Sequence, residues 1–319
     1  MYSIDQLRSF IDEEIKNTYS QQQPKQLYQP IEYAMSVGGK RIRPILCLMA
    51  CNLFTDDVRL AIKPAIGLET FHNFTLLHDD IMDKADLRRN RLTVHKKWDE
   101  NTAILSGDAM MIKAYDYFLE LKPQLLSSTL SVFNRTALEV CEGQQYDMNF
   151  ENSLTVSENE YLEMIRLKTA VLLAGALKIG AIIGGADNLN ADKIYDFGIN
   201  MGLAFQLQDD YLDTFGTEAS FGKRIGGDIV ENKKTYLLIH ALQKDEALIK
   251  PLLTADISEE EKIQKVSDIY RQLGIDQQSQ DKILDYYKKA LTALSEISVE
   301  ESKKENLLQF LNHLKSRIA

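Results

Sequence analysis

An all-α fold, organised as one large helical bundle, is predicted by three observations. Apolar residues recur at i, i+3, i+4 and i+7 over long stretches. Alternating β-branched runs are scarce. Only 6 Pro and 16 Gly punctuate 319 residues, which leaves few places to break a helix. There is no repeat of fixed period and no linker with a shift in composition, so a single domain over residues 1–319 is expected.

The elements follow in order. Ile4 to Lys16 reads as a first helix and Gln21 to Lys25 as a polar break. Tyr28 to Ser36 is a short helix stopped by Gly38-Gly39. Arg43 to Leu53 follows, with Pro44 tolerated in its first turn. Val58 to Met82 is a long helix, and Asp86 to Lys97 is a charged loop. Asn101 to Leu121 and Leu125 to Phe150 are helices, and Ser157 to Gly185 is another, with a kink expected near Lys168-Thr169. Ala191 to Phe215 is a long helix, Gly216 to Asn232 a Gly- and charge-rich mobile loop, and Lys234 to Ala319 about four amphipathic helices. Thr169 to Ala186 is the most membrane-like run, but Lys178 interrupts it and it is short for a span, so a close-packed central helix is expected.

Composition bounds the function. A hydrophobic fraction of 45% suffices for a large core, and a net charge of −10 argues against a nucleic-acid partner. Cys47 and Cys51 are four apart in an apolar run and read as small core residues. An odd count of three cysteines and an acid-bearing amphipathic N-terminus, neither signal nor transit peptide, fit a reducing cytoplasm.

Two acidic stretches carry the chemistry. Leu76-Leu77-His78-Asp79-Asp80-Ile81-Met82-Asp83 ends one helix, and Leu207-Gln208-Asp209-Asp210-Tyr211-Leu212-Asp213 repeats the arrangement near the end of another. Residues i and i+4 lie about 40° apart on a helix, so Asp79 stacks with Asp83 and Asp209 with Asp213. Carboxylates that close raise each other's pKa, and a cation between them relieves the repulsion. Few hard oxygen ligands with room for water suit Mg²⁺, which takes one or two carboxylates plus phosphate oxygens. Apolar flanks such as Phe74, Leu76, Phe205 and Leu207 argue against two merely solvated acidic faces.

Cations stand at several separate places. Gly38-Gly39-Lys40-Arg41-Ile42-Arg43 can aim Lys40 and Arg43 at one anion, although taken alone the stretch reads better as a basic surface turn. It is not a Walker loop, since Ala34 and Arg41 break that spacing. Arg88-Arg89 lies five residues beyond Asp83 and suits phosphate oxygens that metals leave unpaired. Lys168-Thr169 sits between apolar stretches, where a buried Lys calls for an anion. Lys223 and Lys233 lie in the loop after the second acidic stretch. Glu69-x-x-His72 is half of a di-iron bundle signature, but no second Glu-x-x-His is present, which rules that reading out.

These residues, in this order and spacing, resemble the trans-isoprenyl diphosphate synthases, or polyprenyl synthetases, over nearly the whole chain. The match runs through Gly39-Lys40-Arg41-x-Arg43-Pro44, His72, the first acidic stretch, Arg88-Arg89, Gly143-Gln144 with Asp147 and Lys168-Thr169. It continues through Phe205-Gln206 with the second acidic stretch, and Lys223 to Lys233-Lys234-Thr235. Asn90 departs from the family's usual Gly. The resemblance implies helices around a deep cavity, usually in a homodimer, with the acidic stretches facing each other across its mouth. There Asp79, Asp80, Asp83, Asp209, Asp210 and Asp213 would bind Mg²⁺, three ions with diphosphate present. Arg88, Lys168 and Lys233 would also touch the allylic diphosphate, and Lys40, Arg43, His72 and Arg89 would hold isopentenyl diphosphate. Ionisation of the allylic substrate, condensation and proton loss would follow, with Gln208 and Lys168-Thr169 offering dipoles near the cation.

Residues one turn before Asp79 should line the tunnel for the growing tail. Phe74, five before the first Asp, would be its floor, with Thr75 beside it and Met110, Met111 and Tyr115 as lower stops. This combination, without an insertion in the first motif, looks like the archaeal-type geranylgeranyl diphosphate synthases. A C20 product is expected, with farnesyl diphosphate as the alternative. A class I terpene cyclase would lack the second Asp stretch, and a non-catalytic regulatory subunit typically loses one of the two.

Overall fold

Short-range signals place many of the helix ends. In the computed structural model, residues 2–18, 22–151, 153, 155–217 and 225–316 are described. Helices α1 (Ile4–Thr18), α2 (Lys25–Ser36) and α3 (Ile42–Phe54) lead through a 3₁₀ turn at Val58–Ala61 to α4 (Ile62–Met82). A two-stranded hairpin, β1 (Leu87–Arg88) and β2 (Arg91–Leu92), precedes the single turn α5 (Val94–Lys97). Then come α6 (Glu100–Leu119), α7 (Pro123–Glu151) and α8 (Glu158–Ile165), a π turn at Arg166–Ala170, α9 (Val171–Gly184) and α10 (Asn188–Phe215). The short α11 (Gly227–Val230) is followed by α12 (Tyr236–Leu253), α13 (Glu259–Gln272), α14 (Ile275–Ser295) and α15 (Glu301–Lys315).

Asp99 accepts from the Thr102 N–H at the start of α6. Ser157 and Glu160 close a reciprocal capping box on α8, and Ser258 caps α13. Each such cap satisfies a donor that the helix leaves orphaned and is worth ~1 kcal/mol.

The charged loop expected at 86–97 is instead a hairpin with a two-residue turn. Leu87 pairs with Leu92 and Arg88 with Arg91. Arg89 and Asn90 occupy the turn at φ 51° and 60°. A two-residue turn with positive φ at both positions matches the twist of paired strands, and Asn tolerates that region where Gly is commoner. Strands of two residues are too short to show a period of two, so the pattern was invisible in the sequence.

Contacts sort the chain into two compact units. The first comprises Met1–Asn134, Gly175–Asp192 and Ser298–Asn306, and the second Arg135–Ala174, Lys193–Ile297 and Leu307–Ala319. In the first, α3 is buried over Pro44 to Leu53. A Cβ at Gly180 or Gly184 would strike the carbonyls of Cys47 or Cys51, so these glycines let α9 lie against the backbone of α3. The stretch Glu158–Gly184 is long and apolar enough to cross a membrane by length and composition, yet 72% of its window is buried inside protein. Its Lys178 reaches Asp192 at 2.5 Å. In the second unit Leu237, Leu238 and Ala241 of α12 pack with Val266 and Tyr270 of α13 and Ile275 of α14.

Candidate active site

In the first unit the acids end α4. Asp80 is buried, and Arg88 Nε on the hairpin reaches its Oδ1 at 2.7 Å while Nη2 lies 3.8 Å from Asp79 Oδ2. Burial raises the pKa of Asp80 and Arg88 works against that rise. The turn at Arg89-Asn90 folds the second guanidinium towards the Gly38-Gly39 loop. A Cβ on Gly39 would come within 3.0 Å of the Arg89 guanidinium, so the glycine makes room for it. Burial lowers the pKa of Arg89, and the neighbouring Arg41 and Arg88 lower it further against Glu69.

Two half-buried groups organise this basic cluster. Arg43 Nη1 lies 3.0 Å from His72 Nε2. A guanidinium only donates, so His72 Nε2 accepts and its proton sits on Nδ1. Burial, then Arg43 and Arg89, hold the His72 pKa well below the usual histidine range, and the ring is neutral. Burial pulls Arg43 down to about 10, opposed by Glu69, and it remains charged. The counter-charge is Glu69, whose Oε1 takes Arg41 Nη1 at 2.7 Å. Arg41 also donates to the Met35 carbonyl at 2.5 Å, which ties the end of α2 to α4. Its own φ is 50°, a left-handed conformation that only such fixed contacts sustain in a non-glycine residue. Breaking a buried pair like this from one side costs about 3–5 kcal/mol.

In the second unit the acids ride on α10. Asp210 is buried, accepting from Tyr161 O–H at 2.5 Å and from Gln206 Nε2 at 2.9 Å. Asp213 accepts from the Asp228 N–H at 3.0 Å, and its carbonyl accepts from Gly226. Burial, then the charge of Asp228, raises the pKa of Asp210 and pushes Asp213 up to about 6. Lys233 lies 3.5 Å from Asp228. Burial disfavours its charge, but Asp228, Asp210 and Asp147 outweigh that and raise its pKa.

The expected kink near Lys168 is a π turn, which widens the helix by one residue. A Cβ on Gly143 would collide with the backbone of Lys168, so α7 touches the turn directly. One turn on, Asp147 Oδ2 meets Lys168 Nζ at 2.5 Å. Thr169 Oγ1 donates to Gln206 Oε1 at 3.0 Å.

The structure thus groups Asp79, Asp80, Arg88 and Arg89, and separately Arg43 with His72. It links Lys168 to Asp147, and Thr169 through Gln206 to Asp210. Lys40 lies exposed on the loop between α2 and α3. Lys223 lies outside the described residues. Gln208 requires correction. It is fully buried, donates to the Leu314 carbonyl at 2.9 Å and accepts from Tyr287 O–H at 3.0 Å, so its amide is committed to the core. The amide among the acids is Gln206, two residues earlier and on another helix face. Of the chain-length residues, Phe74 and Met110 pack in one apolar cluster with Leu77 and Ala103. Thr75 Oγ1 donates to the His72 carbonyl, and Tyr115 O–H to Asn134.

Sequence reasoning missed Tyr161, Asp228 and the structural role of Glu69 with Arg41. Glu69 had a signal, one turn before His72, but Tyr161 has none apart from its contact.

Among the described residues no three His, Cys, Asp or Glu side chains converge closely enough to hold a metal by themselves. The carboxylates still fit Mg²⁺. Buried acids with raised pKa values favour a hard divalent neighbour, and Mg²⁺ completes its shell with substrate phosphate oxygens rather than with an all-protein cage.

Residues 24–270 match the family described as polyprenyl synthetase. The chain is 36% identical to a short chain isoprenyl diphosphate synthase of Methanothermobacter thermautotrophicus, over 99% of each chain. It is 37% identical to a geranylgeranyl diphosphate synthase of Saccharolobus solfataricus, over 90% of this chain and 89% of that one. A crystal structure of a geranylgeranyl pyrophosphate synthase superposes with a TM-score of 0.95 at 46% identity, over 99% of each chain. The chain belongs to the polyprenyl synthetase family, has its all-α isoprenoid synthase fold, and is a short-chain prenyltransferase.

Proposed function

We propose that the enzyme condenses isopentenyl diphosphate with an allylic diphosphate and releases geranylgeranyl diphosphate. The observation that carries this reading is the two acidic helix ends, each with cations beside it: Arg88 next to Asp79 and Asp80, and Lys233 among Asp210, Asp213 and Asp228. Residues 1–319 act as one synthase domain.

Asp79, Asp80 and Asp83, with Asp209, Asp210 and Asp213, are the residues that would hold Mg²⁺, three ions when diphosphate is present. Bound there, the metal supplies positive charge against the departing diphosphate. Arg88, Lys168 and Lys233 hold the oxygens of the allylic diphosphate, and their charge favours its departure. Lys40, Arg43 and Arg89 hold the diphosphate of isopentenyl diphosphate, and neutral His72 donates from Nδ1. Thr169 and Gln206 turn dipoles towards the allylic cation, and apolar walls keep water from capturing it. The isopentenyl double bond attacks the cation, and the released diphosphate removes the final proton. No His–Asp or Ser–His pair is needed.

Phe74 limits the tail, with Thr75, Met110, Met111 and Tyr115 around or below it, and this supports C20 over the C15 alternative. Exposed apolar side chains on α6, Leu105, Ile112 and Leu119, support a homodimer. Three unpaired thiols support a reducing, cytoplasmic setting.

The test is incubation of purified protein with isopentenyl diphosphate, an allylic starter and Mg²⁺, with product lengths read by mass spectrometry. A C20 product is expected. A chain inert towards both substrates would overturn the reading in favour of a regulatory subunit.

A further inference from the structure

His78 precedes the first acid and has no part in the chemistry above. Its imidazole is nevertheless held from three directions. Nε2 lies 3.2 Å from the Ile104 carbonyl of α6, and a carbonyl only accepts, so the ring proton belongs on Nε2. On the same helix, a Cβ built on Gly107 would fall on the His78 ring. Gly107 is therefore a notch in α6 that admits the imidazole. The third contact is Phe74, one turn back on α4, whose ring meets the imidazole edge-on with centroids 4.8 Å apart at 68°.

Phe74 is the half-buried end of a row of rings. Phe71 packs on it at 5.6 Å and meets Phe133 of α7 at 5.4 Å. Phe133 in turn contacts Phe118 at 4.7 Å and Tyr115 at 5.0 Å. Phe71, Phe118 and Phe133 are fully buried and cannot give way. Phe74 is confined by Phe71 on one side and by His78 on the other. Without the imidazole, its half-buried ring would lose one wall and gain room about χ1, held then by Phe71 and the cluster of Leu77, Ala103 and Met110 alone.

We propose that His78 is a positioning residue for product length: seated in the Gly107 notch and bonded to Ile104, it locks Phe74 in place as the stop for the growing tail. This rests on the reading of Phe74 as that stop. Termination competes with addition of another isopentenyl unit. A ring that can swing aside therefore changes the product ratio, even where the rate of each condensation is preserved.

The experiment measures the ratio of products longer than the wild-type principal product, under one starter and one Mg²⁺ concentration, by mass spectrometry. It compares wild type with Phe74→Ala, His78→Ala, Gly107→Ala and the double variant Phe74→Ala/His78→Ala. Phe74→Ala is expected to lengthen the products. His78→Ala should raise the longer fraction by up to about tenfold, the factor an aromatic contact of this kind is worth in such a competition. The double variant should give the spectrum of Phe74→Ala alone, because a brace has no effect once its object is gone.

Gly107→Ala leaves His78 and the acids unaltered and improves helix propensity, but fills the notch, so it should shift the ratio in the same direction. It decides the matter if His78→Ala, beside Asp79, is recovered unfolded or inactive. Longer products from Phe74→Ala, with unchanged ratios for His78→Ala and Gly107→Ala, would overturn the brace and leave Phe74 as the stop. A double variant with products longer than those of Phe74→Ala would also overturn it, since His78 would then act independently. An unchanged spectrum from Phe74→Ala would remove the stop itself, and the brace with it.

Discussion

The acids of α4 and those of α10 occupy similar helix positions but have their charge balanced in different ways. Asp80 leans on the planar fork of Arg88, one of four arginines near the end of α4, with Arg41, Arg43 and Arg89 around Glu69. Asp210 and Asp213 lean on neutral donors, Tyr161, Gln206 and backbone N–H groups, and share Lys233 with Asp228. The first set is nearly neutral as a group. The second has fewer positive charges beside it among the described residues, and burial, then the charge of Asp228, raises its pKa values. A site of the second kind depends on an incoming divalent cation more than one of the first kind does.

The largest expected effect tests whether both sets matter at all. Asp80→Ala and Asp209→Ala should each lower kcat by about 10²–10³-fold or more, with a melting temperature close to wild type. Near-normal turnover in either variant would remove that set from the reaction. Next comes the difference between the sets. Arg88→Met and Lys233→Met should both lose activity, by about 10–10²-fold for one charge-stabilising group. Extra Mg²⁺ should recover part of the Lys233→Met loss and little of the Arg88→Met loss. Equal recovery in a Mg²⁺ titration would mean that the two sets are balanced alike.

Smaller effects should follow from the neutral partners. Tyr161→Phe removes one donor to Asp210 and should cost ~1 kcal/mol of stability, read by denaturant titration. A variant as stable as wild type would show that the Tyr161 bond makes no net contribution. For the basic cluster, pH is the probe. His72 has a folded pKa far below its unfolded value of ~6.5, so the unfolded chain binds the extra proton. Its contribution is therefore complete above about pH 6.5 and is lost as pH falls, by up to about 1.4 kcal/mol per unit. Replacing it by Asn should flatten the pH dependence of melting between about pH 5 and 6.5. An unchanged slope would mean that His72 is charged in the folded protein, and the Nε2-acceptor assignment would fail.

Much of the fold was legible because helical periodicity needs only local spacing. The four C-terminal helices appeared as expected, and the kink expected near Lys168-Thr169 falls on the π turn. Short elements were not legible. The hairpin at Leu87–Leu92 is set by two positive φ values, and Asn90 discloses them only once the pairing is known. Within the proposed site, spacing on one helix singled out the acids as candidates, since i and i+4 must share a face. Spacing failed for Gln208, because adjacency in sequence places neighbours about 100° apart on a helix. The amide next to the acids in the chain turned into the core, and Gln206 stands among them instead.

What the sequence determined by itself is the set of helices, the two acidic ends and the scattered cations, all properties of residue type and period. What tertiary structure decided is which charge each acid or cation meets. Arg41 met Glu69, Lys168 met Asp147, Tyr161 met Asp210 and Asp228 joined Asp213, across separations of 15 to 49 residues. Such pairings depend on burial and on where glycines such as Gly39, Gly107 and Gly143 let elements approach. Desolvation and close approach are properties of the packed chain, and no local pattern encodes them.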